Sequence, residues 1–157
     1  MRVGLGHWPG LRSELLFDEY VFPVCSPEFR ERHIAHPAAE QSISAAPLIL
    51  EDINLWPAWF EAAGVRPPSP ICGPIYDDSS LTVDAAATGL GVALVRRLHA
   101  QEALATGRIV RVSPVRVKDP CSCYLVWRDA NPRIDAIRRF SQWVLAECDR
   151  VGLREAA

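Results

Sequence analysis

Asp77, Asp78, Ser79 and Ser80 set side-chain oxygens in an unbroken row between a short apolar run, residues 74–76, and an alanine-rich body, residues 81–87. Oxygens so placed can accept from the unpaired N–H groups that open a helix, or they can hold the polar groups of a small ligand. Asp52, Asn54 and Trp56 repeat the pattern after a second apolar run at 47–50. A helix N-terminus favours an anion, but Asp77 and Asp78 already bring negative charge, and Asp84 adds more nearby. The expected ligand therefore carries an amine or several hydroxyls, or is an amino acid held as a zwitterion. Trp56 could pack on an apolar ligand face or serve as a core anchor, and the second role is expected of Trp59 and Phe60. Gly4 lies in a glycine-rich opening segment and permits close backbone approach to a ligand.

Both rows need the same support, a strand leading in and a helix leading out. Gly89 can end the helix after Ser80, and Gly91 lets a buried strand at 92–95 begin at once. A compact helix over 55–63, stopped by Gly64, follows Asn54. In an open α/β sheet such turns lie at the carboxyl ends of strands, where ligands bind. Elsewhere, residues 15–26 read as one long strand, or a pair, interrupted at Asp18 and Glu19. Pro27 after Ser26 opens a short helix to His33, and residues 37–39 mark a turn. Pro67, Pro68 and Pro70 form a stiff connector into 71–76. A helix over 97–106, strands at 109–112 and 122–127, and a helix capped by Asn131 with Pro132 at its first position complete the order. Ile134, Ile137, Phe140, Val144, Cys148 and Val151 fall at helical spacing on that last element.

Composition narrows the function classes. The chain has 157 residues, 49% of them hydrophobic, with a net charge of −2. That is enough apolar material for a sizeable core and too little positive charge to neutralise a phosphate backbone, so no direct DNA contact is expected. The five cysteines, Cys25, Cys72, Cys121, Cys123 and Cys148, form an odd set without framework spacing, and free thiols in a reducing cytoplasm are expected. No secretory leader or apolar run long enough for a membrane span is visible. There is no Gly-x-Ser-x-Gly elbow, phosphate-binding Gly-x-x-x-x-Gly-Lys run or His-Glu-x-x-His site, so no enzyme is expected. His33 and His36 read as surface histidines, and Cys121 with Cys123 as strand packing; no metal and no cofactor is expected.

Taken together, several segments resemble one bacterial family. They are the Arg2-Val3-Gly4-Leu5-Gly6-His7-Trp8 run, Pro23-Val24-Cys25-Ser26-Pro27, Trp56-Pro57-Ala58-Trp59-Phe60, the row at Asp77 to Ser80, Gly107-Arg108-Ile109-Val110, Tyr124-Leu125-Val126 and Phe140-Ser141-Gln142-Trp143. In this order they resemble the effector-binding domain of LysR-type transcriptional regulators, in the branch of the glycine-cleavage activator. The resemblance implies an α/β fold of periplasmic-binding-protein type II, with one complete lobe at 21–119 and remnants of the other at 1–20 and 120–157. It implies an effector cleft lined by Gly4, Asp52, Asn54, Trp56, Asp77, Asp78, Ser79 and Ser80. A small-molecule effector and a further copy, or a full-length homologue, are the implied partners. The family's helix-turn-helix and the first half of its first lobe have no counterpart here, so the chain reads as N-terminally truncated. A stand-alone paralogue that associates with full-length regulators is the alternative reading, and a solute-binding protein a weaker third.

Overall fold

The computed structural model describes residues 1–34, 37–128 and 130–154. His36 lies outside them. The chain divides into two compact units, Met1–Glu19 with Lys118–Ala157, and Tyr20–Val117.

The second unit is a mixed sheet, parallel at its centre and covered on both faces. Strand β3 (Leu48–Glu51) runs parallel to β4 (Ile75–Tyr76) and to β5 (Val92–Arg96), and β5 pairs antiparallel with the end of β2 (Leu11–Cys25). Strand β6 (Val110–Arg111) pairs with the other side of β2. Alternation along these strands sorts the core into two layers. Leu48, Leu50, Val92, Leu94, Val21 and Cys25 meet Phe29 of α1 (Pro27–His33), Ile43 of α2 (Ala39–Ala45) and the aromatic cluster of α3 (Trp56–Ala63). Ile49, Ala93, Val95, Phe22 and Val24 turn the other way, onto Val83, Ala85 and Ala86 of α4 (Ser79–Ala87) and Ala100 and Ala103 of α5 (Arg97–Ala105). Alanines suit that face because small side chains let the helices lie close to the strands.

Two glycines make the strand spacing possible. A methyl on Gly73 would fall 1.9 Å from the Leu48 carbonyl oxygen, and one on Gly91 would fall 2.4 Å from that of Pro47. Gly64 and Gly89 end α3 and precede β5 with φ of +66° and +82°, the left-handed conformation that glycine adopts without strain.

In the first unit β1 (Arg2–Gly4) pairs antiparallel with β7 (Val117–Arg128), which lies next to β2. Leu16 and Phe17 of β2 and Cys123 and Leu125 of β7 pack against Val144 and Cys148 of α6 (Ile134–Arg150).

Four expectations need correction. Residues 15–25 belong to one strand that starts at Leu11, Ser26 being the cap of α1, and Asp18 and Glu19 do not interrupt it; Asp18 is held by Lys118 at 2.8 Å and Ser122 at 2.7 Å on the neighbouring strand. Helix α6 begins at Ile134; Asn131 accepts instead from the N–H of Arg133 in the turn ahead of it. Its buried face is Ser141, Val144 and Cys148, whereas Phe140 and Val151 are 49% and 40% exposed. A helix is also present at α2, where only a turn at 37–39 was foreseen.

Candidate functional site

The two polar turns leave adjacent strands at the same edge. Leu50 and Glu51 of β3 stand opposite Ile75 and Tyr76 of β4 in parallel register. The turn at 52–55 and the turn at 77–78 therefore start side by side, at the carboxyl ends of parallel strands. Helices α3 and α4 follow them directly.

Within the first turn, the Asp52 carboxylate accepts from the N–H of Ile53 at 2.8 Å, and Asn54 Oδ1 accepts from the N–H of Trp56 at 3.1 Å. Asn54, an exposed residue, thus satisfies an N–H at the start of α3 through its amide oxygen. Trp56 is 1% exposed, donates from Nε1 to the Ile49 carbonyl at 2.9 Å, and meets Trp59 edge-on and Phe60 at a tilt. It is a core anchor. Beside it Glu51, Ile53, Asn54, Leu55, Val21, Ile49 and Leu94 line a cavity of about 10 Å³, the space of about one water.

In the second turn Asp78 caps α4, its Oδ1 accepting from the N–H of Ser80 at 2.7 Å. Its carboxyl is held below the usual range, chiefly by that N–H and next by that of Leu81. Asp77 and Ser80 are exposed. Ser79 is tied to a residue that sequence reasoning passed over. Arg96, the last residue of β5, donates from Nη1 to Ser79 Oγ at 2.9 Å and to Glu51 Oε2 at 2.6 Å. The Arg96 and Glu51 side chains are only 15% and 12% exposed. Three elements therefore meet at their chemically useful ends: β3 through Glu51, β5 through Arg96 and α4 through Ser79. Glu51 Oε1 is buried without a partner.

Arg96 changes the electrostatics expected from the acidic row. Asp78 is engaged by helix N–H groups, a guanidinium stands behind Ser79, and Asp84 is paired with Arg108 at 2.6 Å on the surface of the unit. Arg96 is itself paired with Glu51, so the excess of carboxylates at Asp52, Asp77 and Asp78 remains, with one buried cation added behind Ser79. A strand-final arginine could have been foreseen, since β5 was expected and Arg96 directly follows its apolar run; its contacts with residues 45 and 17 positions away could not.

Gly4 belongs to the first unit. The atoms that approach it are those of Trp8, whose indole would lie 3.1 Å from an added methyl, and Trp8 in turn meets Tyr124 edge-on at 5.5 Å. Gly6, with φ of +88°, lies against the Tyr124 ring in the same way. Among the described residues no cluster of His, Cys, Asp and Glu could hold a metal ion, and no helix is long and apolar enough to cross a membrane.

Comparison with known proteins is consistent across sequence and structure. The sequence profile of the family described as LysR substrate binding domain matches residues 1–149. The glycine cleavage system transcriptional activator of Escherichia coli K12 is 33% identical over 146 residues, 92% of this chain and 47% of that protein. The transcriptional activator AmpR of Rhodobacter capsulatus is 32% identical over 149 residues, 94% of this chain and 49% of that protein. The chain thus spans about half the length of these relatives. Among solved structures, the AmpR effector-binding domain of Citrobacter freundii superposes with a TM-score of 0.80 at 28% identity, covering 95% of this chain and 73% of that one. The effector domain of AmpR from Pseudomonas aeruginosa gives 0.78 at 26% identity, covering 98% and 74%.

Proposed function

The chain belongs to the LysR substrate-binding domain family, and from that premise we propose that it senses a small metabolite at the two polar turns of its second unit. The fold is the α/β fold of periplasmic-binding-protein type II shared with its structural neighbours. Of the readings open to the sequence, the sensing domain of a transcriptional regulator is favoured over a stand-alone partner of full-length regulators.

One observation carries the location: the turns after β3 and β4 leave neighbouring parallel strands in register, and Arg96 joins the strand ends to the first residue of α4. Asp52, Asn54, Asp77, Ser79 and Ser80 supply the polar contacts in this proposal. Asp78 shapes the turn as a cap, and Trp56 supports it from the core. The effector acts by binding one arrangement of the domain better than another, so that its concentration shifts their populations. The domain works without catalysis in the cytoplasm, self-associates, and leaves DNA contact to other segments.

The test is a metabolite panel read by thermal denaturation and isothermal titration. A true effector stabilises the chain by about 2.7 kcal/mol at a hundredfold excess over its Kd. Asn54→Ala and Ser80→Ala weaken it without lowering the ligand-free melting temperature by more than a few degrees. An effector whose affinity survives both changes, together with Asp52→Ala and Asp77→Ala, binds elsewhere and removes the assignment.

A further inference from the structure

Arg96 decides which half of the Ser79 hydroxyl faces a ligand. A hydroxyl has one proton and two lone pairs. Because Ser79 Oγ accepts from Arg96 Nη1 at 2.9 Å, its proton is directed away from the guanidinium, and no acceptor for that proton occurs among the described residues. The same Nη1 is held by Glu51 Oε2 at 2.6 Å, and the arginine and glutamate side chains are 85–88% buried by their exposures of 15% and 12%, so the guanidinium cannot swing away at little cost. The positive charge behind Ser79 Oγ polarises the hydroxyl and strengthens it as a donor. Asp78, the nearest carboxylate in sequence, spends its oxygen on the Ser80 N–H and does not take the Ser79 proton.

We propose that Arg96 is a positioning residue that presents Ser79 as a hydrogen-bond donor, so that the effector meets this turn with an acceptor oxygen of a carboxylate or carbonyl group. This rests on the reading that the turns bind the effector, and it assigns Ser79 an acceptor group where the acidic row alone suggests an amine. Glu51 supports the arrangement by fixing the guanidinium from the end of β3. Ser79→Thr keeps the donor, and Arg96→Lys keeps a cation able to reach it; Ser79→Ala and Arg96→Leu keep neither function.

The experiment is a titration of the isotope-labelled chain with sodium acetate, acetamide and methylammonium chloride, following the backbone amides of 52–56 and 78–82. Acetate and acetamide should shift the amides at 78–82 saturably, with methylammonium at least tenfold weaker. Ser79→Ala should cost acetate at least tenfold, Ser79→Thr less than threefold, and Arg96→Lys should recover most of what Arg96→Leu loses. The acetate-to-methylammonium ratio is the readout that a general loss of stability would not move. Preferential binding of methylammonium, or acetate binding at 78–82 unchanged in Ser79→Ala, overturns the role of Ser79. Equal loss in Arg96→Lys and Arg96→Leu overturns the positioning role. Silence of both turns toward all three probes counts against the site itself, whereas shifts confined to 52–56 leave the site standing and remove this inference.

Discussion

Trp56 shows how one residue can carry two claims that only packing separates. Its place directly after a polar turn suits a ligand face, yet its indole is enclosed by Trp59 and Phe60 and its N–H is spent on the Ile49 carbonyl. Replacing it with alanine should destabilise the chain by about 3–5 kcal/mol, as measured by denaturant unfolding, whereas Asn54→Ala beside it should fall near the cost of a lost cap, about 1 kcal/mol. The thiols divide along the same line of burial. Desolvation pushes the Cys25 thiol up to about 11, with Arg30 opposing it, and raises Cys123 and Cys148 for the same leading reason. Only the thiolate reacts. At pH 8 an aromatic disulfide reagent should therefore modify exposed Cys72 first, with Cys25, Cys123 and Cys148 reacting only on unfolding. Fast modification of Cys25 in the native chain would contradict its burial.

At the scale of elements, the glycines that admit β4 and β5 beside β3 are the sharpest test. Alanine at Gly91 places a methyl 2.4 Å from a backbone oxygen that cannot move without disturbing β3. The expected cost of Gly91→Ala is about 1–3 kcal/mol or more, read as a shift in the denaturation midpoint, while Ser26→Ala, which removes the cap on Phe29 N–H at 3.2 Å, should cost about 1 kcal/mol. Strand β2 and β7 offer a pH test. Lys118 first, and then Ser122, hold the Asp18 carboxyl below its ordinary 3.8. A carboxyl depressed in the folded state contributes stability above its unfolded pKa, and that contribution fades as pH falls through the folded value. Asp18→Asn should flatten the acid limb of the stability curve and leave the shape above about pH 5 unchanged. A partly exposed pair such as this gives a small effect.

Most of these elements could be read from pattern, and the exceptions share a cause. Helix α1 and the strand at Leu48–Glu51 follow from caps, prolines and apolar runs. Helix α2 begins at Ala39, behind Ala38, which offers no side-chain cap, so no local signal announced it. Helical spacing alone put Phe140 and Val151 on the inward stripe of α6; the buried face instead joins Ser141, held by Glu14 of β2, to Val144 and Cys148. The polar turns were legible because caps and turns are local chemistry. The Glu51–Arg96–Ser79 link was not, because it is made by three segments that only the sheet brings together.

Across the whole molecule the two units are stabilised unequally. Tyr20–Val117 has two apolar layers on opposite faces of one sheet, while the other unit rests on a single small cluster around Leu16, Phe17, Leu125 and Val144. Phe140 and Trp143 of α6 also lie 5.8 Å apart with 49% and 59% of their surfaces in solvent, where they add little to that cluster. Local opening follows such differences in buried apolar contact. Amide exchange should accordingly be slowest in β3 and β5 and faster by at least an order of magnitude in β1, β7 and α6, with exchange of the second set merging into one cooperative step at low denaturant. The exposed ring pair has a separate consequence, since side-by-side aromatics at the surface promote association. The double change Phe140→Glu and Trp143→Gln should reduce self-association in sedimentation while moving the unfolding midpoint little. If the exchange hierarchy is reversed, the small cluster is stronger than its size allows. If stability falls steeply with both rings removed, they pack against more of the protein than α6 itself.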